Sequence, residues 1–246
     1  MKVSVITPTG DRSNLLGRLN TYMSRQTRQP DEWIVCDDGA EAPPVKLDAT
    51  TYIKPSWIRG EFGTSTLPAN LLEAMNYVTG DLILIMEDDD WYDKDYIQTY
   101  VELAELYPES LLFGCANNVY YRWPEGLFLG HNNKQHSSLC STGFKSGATD
   151  QFIQSCINPW MKYYVDGGLW YNYGKKLDRT MFIHEKPIVI GMKNLTSDPV
   201  GFGHGRHDNL FLEDTGNVLL KKWIGEEDTA WYRNFVTNRY GYVYTV

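Results

Sequence analysis

No apolar run in this chain approaches membrane-spanning length, so no transmembrane helix is expected. The first residues carry neither a signal-peptide apolar region nor a small-residue cleavage site. Lys2-Val3-Ser4-Val5-Ile6 enters a strand directly. Cysteine is scarce: Cys36, Cys115, Cys140 and Cys156 are widely and unevenly spaced. That spacing excludes a zinc pattern and a compact disulfide framework, and points to reduced, buried thiols in a cytoplasmic setting. In that setting the sequon Asn194-Leu195-Thr196 carries no meaning. Basic charge is also short, with 23 Lys and Arg against 31 Asp and Glu and a net charge of −8. This disfavours broad binding to a nucleic-acid backbone and leaves room only for a local basic groove. Internal repeats and low-complexity tracts are absent.

What remains is the composition of a folded protein: 246 residues, 42% hydrophobic and 22% charged. Such a chain buries a substantial core in one large or two small domains. It is organised around Leu82-Ile83-Leu84-Ile85-Met86, an apolar run of strand length that ends in Glu87-Asp88-Asp89-Asp90. Apolar residues at successive positions predict a strand buried on both faces. Adjacent carboxylates at its end repel one another and lose hydration unless they lie in solvent or a cation neutralises them. Mg²⁺ or Mn²⁺, held by carboxylates and phosphate oxygens, is one reading. The other is a solvated strand-to-helix turn.

The surrounding pattern is that of an α/β protein. Val3 to Ile6 reads as a strand leading into Thr7-Pro8-Thr9-Gly10-Asp11-Arg12, and Ser13 is a candidate N-cap. Leu15, Leu16, Leu19 and Met23 then recur at helical spacing, and Glu32 to Cys36 is a second strand ending in Asp37-Asp38-Gly39. Strand, helix, strand at this spacing predicts a parallel pair, with both polar ends on one edge. Hydroxyls, a carboxylate pair and glycine there suit a base and a ribose; two ordinary turns are the alternative. Pro68 opens a helix with Leu71, Leu72, Met75 and Val78 on its apolar face, ending near Gly80, and with Asn70 in its first turn. Tyr96 to Leu106 is a further helix, and Leu111 to Asn118 a further strand.

This succession resembles the GT-A glycosyltransferases, specifically the family-2-like inverting enzymes. The resemblance rests on Val3 to Thr9, Gln26, Pro30, Trp33 to Gly39, Asn70 before Leu72-Glu73-Ala74, and Gly80 to Trp91, and covers about the first 120 residues. Glu87 stands where the family usually places Asp. The resemblance implies a mostly parallel twisted sheet flanked by helices. Residues 1–120 are expected to bind a nucleotide-sugar, and residues 121–246 to form the acceptor half of the same domain. By the same likeness Thr7, Pro8, Thr9 and Asp38 contact the nucleoside, and Asp37 or Asp38 bonds the base edge. Asp88 faces the ribose or the metal, and Asp89 or Asp90 holds the metal against the diphosphate. Arg59, Asn70 and Arg12 belong to the diphosphate or donor-sugar edge.

The second half is irregular and aromatic. Leu139 to Lys145 is a candidate short strand near the sugar, Gln151 to Met161 has weak helical spacing, and Lys186 to Gly191 reads as a strand. In the family an acidic residue in a segment shaped like Tyr163 to Tyr171 is the general base, which matches Asp166 here. The alternatives are that Asp166 only caps a helix, or that Asp150 or Asp214 is the base. His204, between glycines in Gly201-Phe202-Gly203-His204-Gly205, is the candidate third metal ligand, while Arg206 and Lys193 are candidates to offset diphosphate charge. Trp123, Trp160, Trp170, Tyr171 and Tyr173 are expected to be mostly core, with stacking on sugars or bases as the other use.

The resulting expectation is inverting transfer from a nucleotide-sugar, UDP-linked by expectation, to a hydroxyl acceptor, with Mn²⁺ or Mg²⁺. The acceptor stays open between a glycan and a hydroxymethylated DNA base. A nucleotide-sugar-binding module without transfer activity, and a glycoside hydrolase using paired carboxylates, are the alternatives.

Overall fold

The computed structural model of the chain describes residues 1–40, 48–55, 57, 65–158, 164–195 and 210–240. The chain begins with β1 (Val3–Thr9), α1 (Ser13–Ser24), β2 (Glu32–Asp37) and β3 (Thr51–Ile53). Then come α2 (Leu67–Met75), β4 (Leu82–Ile85), β5 (Trp91–Tyr92) and α3 (Tyr96–Leu106). The next strands are β6 (Leu112–Cys115), β7 (Val119–Arg122), β8 (Leu127–Gly130) and β9 (Thr142–Lys145). The chain continues through α4 (Thr149–Ile157), α5 (Val165–Tyr173), β10 (Thr180–Phe182), β11 (Val189–Lys193), β12 (Leu212–Glu213) and α6 (Val218–Tyr240).

The larger sheet has seven strands in the order β10-β6-β9-β4-β1-β2-β3. β1 runs parallel to both β2 and β4, with Val5 opposite Trp33 on one side and Leu84 on the other. Every residue of β1 and β4 is buried, as strands covered on both faces must be. Side-chain alternation divides the core. Val3, Val5, Trp33 and Val35 pack with Leu15, Leu19, Tyr96 and Tyr100 of α1 and α3. Ile6, Ile34, Ile83 and Ile85 pack with Leu71, Phe152, Leu169 and Trp170 of α2, α4 and α5. β9 lies antiparallel between β4 and β6, so the two halves of the chain build one sheet.

The smaller sheet, β12-β8-β7-β11-β5, joins the larger one at the acidic turn after β4. Trp91 and Tyr92 pair with Ile190 and Val189. α6 is broken at Gly225, whose φ of 83° suits glycine. It is tied down by Asp228, which takes Trp91 Nε1 at 2.7 Å, Arg25 at 2.8 Å and the buried guanidinium of Arg18.

Several local expectations shift. The helix after β1 has Arg12, not Ser13, at its N-cap, and no side chain caps it. The helix with Asn70 closes at Met75, and residues 76–77 form a turn. The stretch Leu111 to Asn118 is only the short β6, because the chain bends at 116–118 into β7. Leu139 to Lys145 begins as a 3-10 turn before β9.

Candidate active site

The parallel pairing brings the carboxyl ends of β1, β2 and β4 to one edge. Thr9 is opposite Asp37, and Ile6 opposite Ile85. This is where ligands bind in open α/β sheets. Asn70, buried in the first turn of α2, fastens the edge: its amide donates to Thr9 O at 3.0 Å and to Asp38 Oδ1 at 3.3 Å. Asp37 is engaged inside the protein, accepting from Gly39 N at 2.8 Å, from Lys54 Nζ at 3.0 Å and from the Tyr52 hydroxyl. A Cβ on Gly39 would lie 2.2 Å from Asp11 N, so the approach of the β2 loop to the β1 loop requires glycine. Thr7 and Pro8 are buried in β1, and the Thr7 hydroxyl accepts from Trp33 Nε1 at 3.0 Å. The Thr7 side chain therefore belongs to the core, whereas the Thr9 hydroxyl donates to Asp88.

The acidic turn is held by its backbone. Met86 N donates to Ile6 O at 3.0 Å and Glu87 N to the Tyr92 hydroxyl at 2.7 Å. Among the described residues, its three aspartates divide between two cations. Arg12 Nη1 lies 3.1 Å from Asp88 Oδ1 and 2.9 Å from Asp89 Oδ2. On the other side Asp90 Oδ1 accepts from Met192 N at 2.8 Å, with Lys193 Nζ 3.9 Å away. Ligand atoms of Glu87, Asp90 and Cys140 all lie within 4.8 Å of one another. Asp90 Oδ2 is buried and, among the described residues, has no partner at hydrogen-bond geometry; its polar neighbour is the weakly donating Cys140 thiol.

Among the described residues four carboxylates thus face two cations, and the deficit marks the ionisation of Glu87, Asp88 and Asp90. Burial, together with Asp90 and Asp89, holds the Glu87 carboxyl well above its usual range. Burial raises Asp88 to about 7 against the pull of Arg12, and Asp90 to about 6 against that of Lys193. The Arg12 guanidinium is held firmly charged by Asp88. Lys193 also stays charged: burial opposes it, but Asp90 and Asp89 outweigh that. Burial and the neighbouring Asp90 keep the Cys140 thiol protonated, and a neutral thiol is a weak ligand. The donors suited to a hard divalent cation are therefore the carboxylates, and the uncompensated charge and the orphaned Asp90 oxygen both fit one.

Asp166 is the second residue of α5. It makes no cap bond; its Oδ2 lies 3.1 Å from His136 Nε2. It is close enough to the acidic turn to raise Glu87 further. The rival acids sit differently. Asp214 caps α6, accepting from Leu219 N at 2.8 Å and Leu220 N at 3.0 Å, and also holds Tyr121. Asp150 is exposed in the first turn of α4.

A family model described as glycosyl transferase family 2 matches residues 4–167. The chain belongs to glycosyl transferase family 2. No curated protein sequence matches it. Among solved structures, S. aureus TarS is similar, with a TM-score of 0.55 and 15% identity over 78% of this chain and 37% of that one. TarS 1-349 in complex with UDP has a TM-score of 0.56 at 14% identity, over 78% of this chain and 60% of that one. TarS 1-349 in complex with UDP-GlcNAc has a TM-score of 0.53 at 14% identity, over 78% and 59%. This family 2 chain therefore spans about 60% of the length of the shorter TarS fragment. At these identities the likeness carries the fold, which is GT-A.

In this family 2 chain Thr9, Arg12, Asp38, Asn70, Asp88, Asp89 and Asp90 gather at one sheet edge, while Thr7, Pro8 and Asp37 support it from within. Arg59, Trp160, His204 and Arg206 lie outside the described residues. Trp123 and Trp170 are core, and Tyr171 is exposed. Sequence reasoning missed Cys140 and His136. Nothing in the spacing links either to its partner: His136 is 30 residues from Asp166 and sits in a polar loop.

Proposed function

We propose that this chain is an inverting, metal-assisted glycosyltransferase that moves a sugar from a UDP-linked donor to a hydroxyl acceptor. The observation that carries it is the acidic turn, whose carboxylates exceed the cations facing them among the described residues, beside the carboxyl ends of β1 and β2. TarS, whose structures hold UDP and UDP-GlcNAc, supports the choice of donor. In this reading residues 1–120 bind the donor and residues 121–246 shape the acceptor side. Asp38, Thr9 and the backbone around Pro8 receive the nucleoside. Glu87 and Asp90 would hold Mn²⁺ or Mg²⁺, with Asp89 at the rim, and His204 remains a proposed ligand. When bound, the cation supplies Lewis-acid stabilisation to the departing diphosphate. Arg12 and Lys193 add positive charge at the same place, and Arg59 remains a proposed contributor.

Asp166 takes the proton of the acceptor hydroxyl as its oxygen bonds to the anomeric carbon. The bond from that carbon to the diphosphate breaks on the opposite side, and its electrons leave with the diphosphate, which inverts the centre. The acceptor stays at the level of a glycan or a hydroxymethylated base. Among the described residues no helix is long and apolar enough to cross a membrane. The four cysteines are free and buried, which is consistent with the proposed cytoplasmic setting.

The test is a thermal-shift panel of nucleotide sugars with and without Mn²⁺, followed by assay of UDP release. A UDP-sugar is expected to raise the melting temperature only with the metal, because a ligand that binds the folded state stabilises it. Metal-dependent binding without UDP release in any acceptor mixture would leave a binding module instead. Activity that survives EDTA would leave a hydrolase.

A further inference from the structure

The loop 131–138 is pinned along its length. His131 N donates to Asn118 O at 2.7 Å, and Asn133 N to Ala116 O at 2.9 Å. Gln135 N donates to Asn133 Oδ1 at 2.9 Å, Arg179 Nη1 to Gln135 O at 3.2 Å and Ser137 Oγ to Cys115 O at 3.0 Å. Amid these ties His136 is delivered to α5. Its ring lies flat on Tyr171, with centroids 5.2 Å apart and planes 6° apart. Its Nε2 meets Asp166 Oδ2 at 3.1 Å. The two side chains are mostly buried, 22% and 17% exposed. Tyr171 itself is 59% exposed, so the pair stands at the rim of the site and not in the core.

We propose that His136 is a positioning residue for the base Asp166; this rests on the transferase reading above. The imidazole ring is fixed by Tyr171 on its face and by the loop on its backbone. It donates Nε2–H to one carboxylate oxygen of Asp166. That fixes the carboxylate rotamer at the start of α5, where no cap bond does so, and leaves Oδ1 to face the acceptor hydroxyl. A base held in one orientation avoids the entropic loss of finding it at each turnover. In the transfer step the hydroxyl proton passes to Asp166 Oδ1, and His136 keeps its own proton throughout.

The test uses the full chain with UDP-GlcNAc and Mn²⁺, reading UDP release to water or an added acceptor. His136→Phe keeps a ring for Tyr171 to stack on but removes the donor. Its kcat is expected to fall about tenfold to a hundredfold, less than the whole contribution of a general base. KM for UDP-GlcNAc and the melting temperature are expected to stay at wild-type values. His136→Gln restores an N–H near the same place and is expected to recover most of kcat. Equal kcat in His136→Phe and wild type, or a loss in KM alone, overturns the proposal. Asp166→Asn with wild-type turnover would instead remove the base assignment on which it rests. An imidazole ¹⁵N spectrum judges the pairing without activity, including for an enzyme that releases no UDP from this donor. Wild type is expected to show His136 protonated at Nε2, and Asp166→Ala to lose that preference; identical spectra overturn it.

Discussion

Arg12 Nη1 lies 2.9 Å from Asp89 Oδ2 and also reaches Asp88, so one guanidinium provides charge where a divalent cation would be drawn. Arg12 and the metal therefore compete for the same field, although they need not share a position. With the Arg12 side chain 36% exposed, its loss is partly screened, and Arg12→Gln is expected to cost the metal-free protein only about 1 kcal/mol. The same change should enlarge the rise in melting temperature produced by Mn²⁺, because the carboxylates then lack their nearest counter-charge. Thermal shifts in EDTA and in Mn²⁺ check this; an unchanged Mn²⁺ response would separate Arg12 from the cation site.

The raised carboxyl groups set a pH dependence of definite sign. Asp88 at about 7 and Asp90 at about 6 both lie above their ordinary 3.8, so between these limits the folded state holds protons that the unfolded chain has released. Their contribution to stability is then fully present below about pH 4 and is lost as pH rises to about 7. In EDTA the melting temperature is expected to fall between pH 5 and 7.5, with a shallower fall in Asp88→Asn. Mn²⁺ should bind more tightly over the same interval as it displaces those protons. A wild-type slope equal to that of Asp88→Asn contradicts the assignment.

The parallel core was legible because its strands write their burial as unbroken apolar runs: Val3 to Ile6 and Leu82 to Met86 admit few other readings. The acidic turn was equally plain, since four carboxylates in a row need either water or a cation. What could not be read was which carboxylate faces which way. Asp89 turns to Arg12 and Asp90 to Met192 because β5 pairs with β11, a contact between residues about a hundred positions apart. Shorter separations, 30 residues from His136 to Asp166 and 53 from Glu87 to Cys140, were enough to hide those two pairs. Thr7 was assigned to the nucleoside edge by likeness, yet its hydroxyl is taken by Trp33. Asp214, the rival to Asp166 in the sequence, has both oxygens on the first turn of α6.

Asp228 anchors α6 against α1 and β5 through Arg18, Arg25 and Trp91 Nε1. Arg18 and Asp228 are 9% and 6% exposed in their side chains. Removing one member of such a pair leaves a buried charge without compensation, so Asp228→Ala is expected to cost about 3–5 kcal/mol. Urea unfolding of the metal-free protein measures it. A loss under about 1 kcal/mol would mean that α6 is held by its apolar contacts alone.

Asp89 and Asp90 should separate under the same isosteric change. Asp90→Asn keeps the Oδ1 acceptor for Met192 N but puts an uncharged amide where the orphaned oxygen was. Metal-free stability near neutral pH is therefore expected to change little, since a carboxylate that resists ionisation has gone but the buried Lys193 loses its main counter-charge. Mn²⁺ affinity is expected to drop more than tenfold, as one charged ligand and its Coulomb attraction are lost. Asp89→Asn loses its ion pair with Arg12 at a site 20% exposed, where solvent screens much of the effect. Its Mn²⁺ affinity is expected to fall by less than tenfold. Calorimetric titration of Mn²⁺ into both variants decides the order, and the reverse order would move the cation from the Glu87 and Asp90 side of the turn to the Arg12 side.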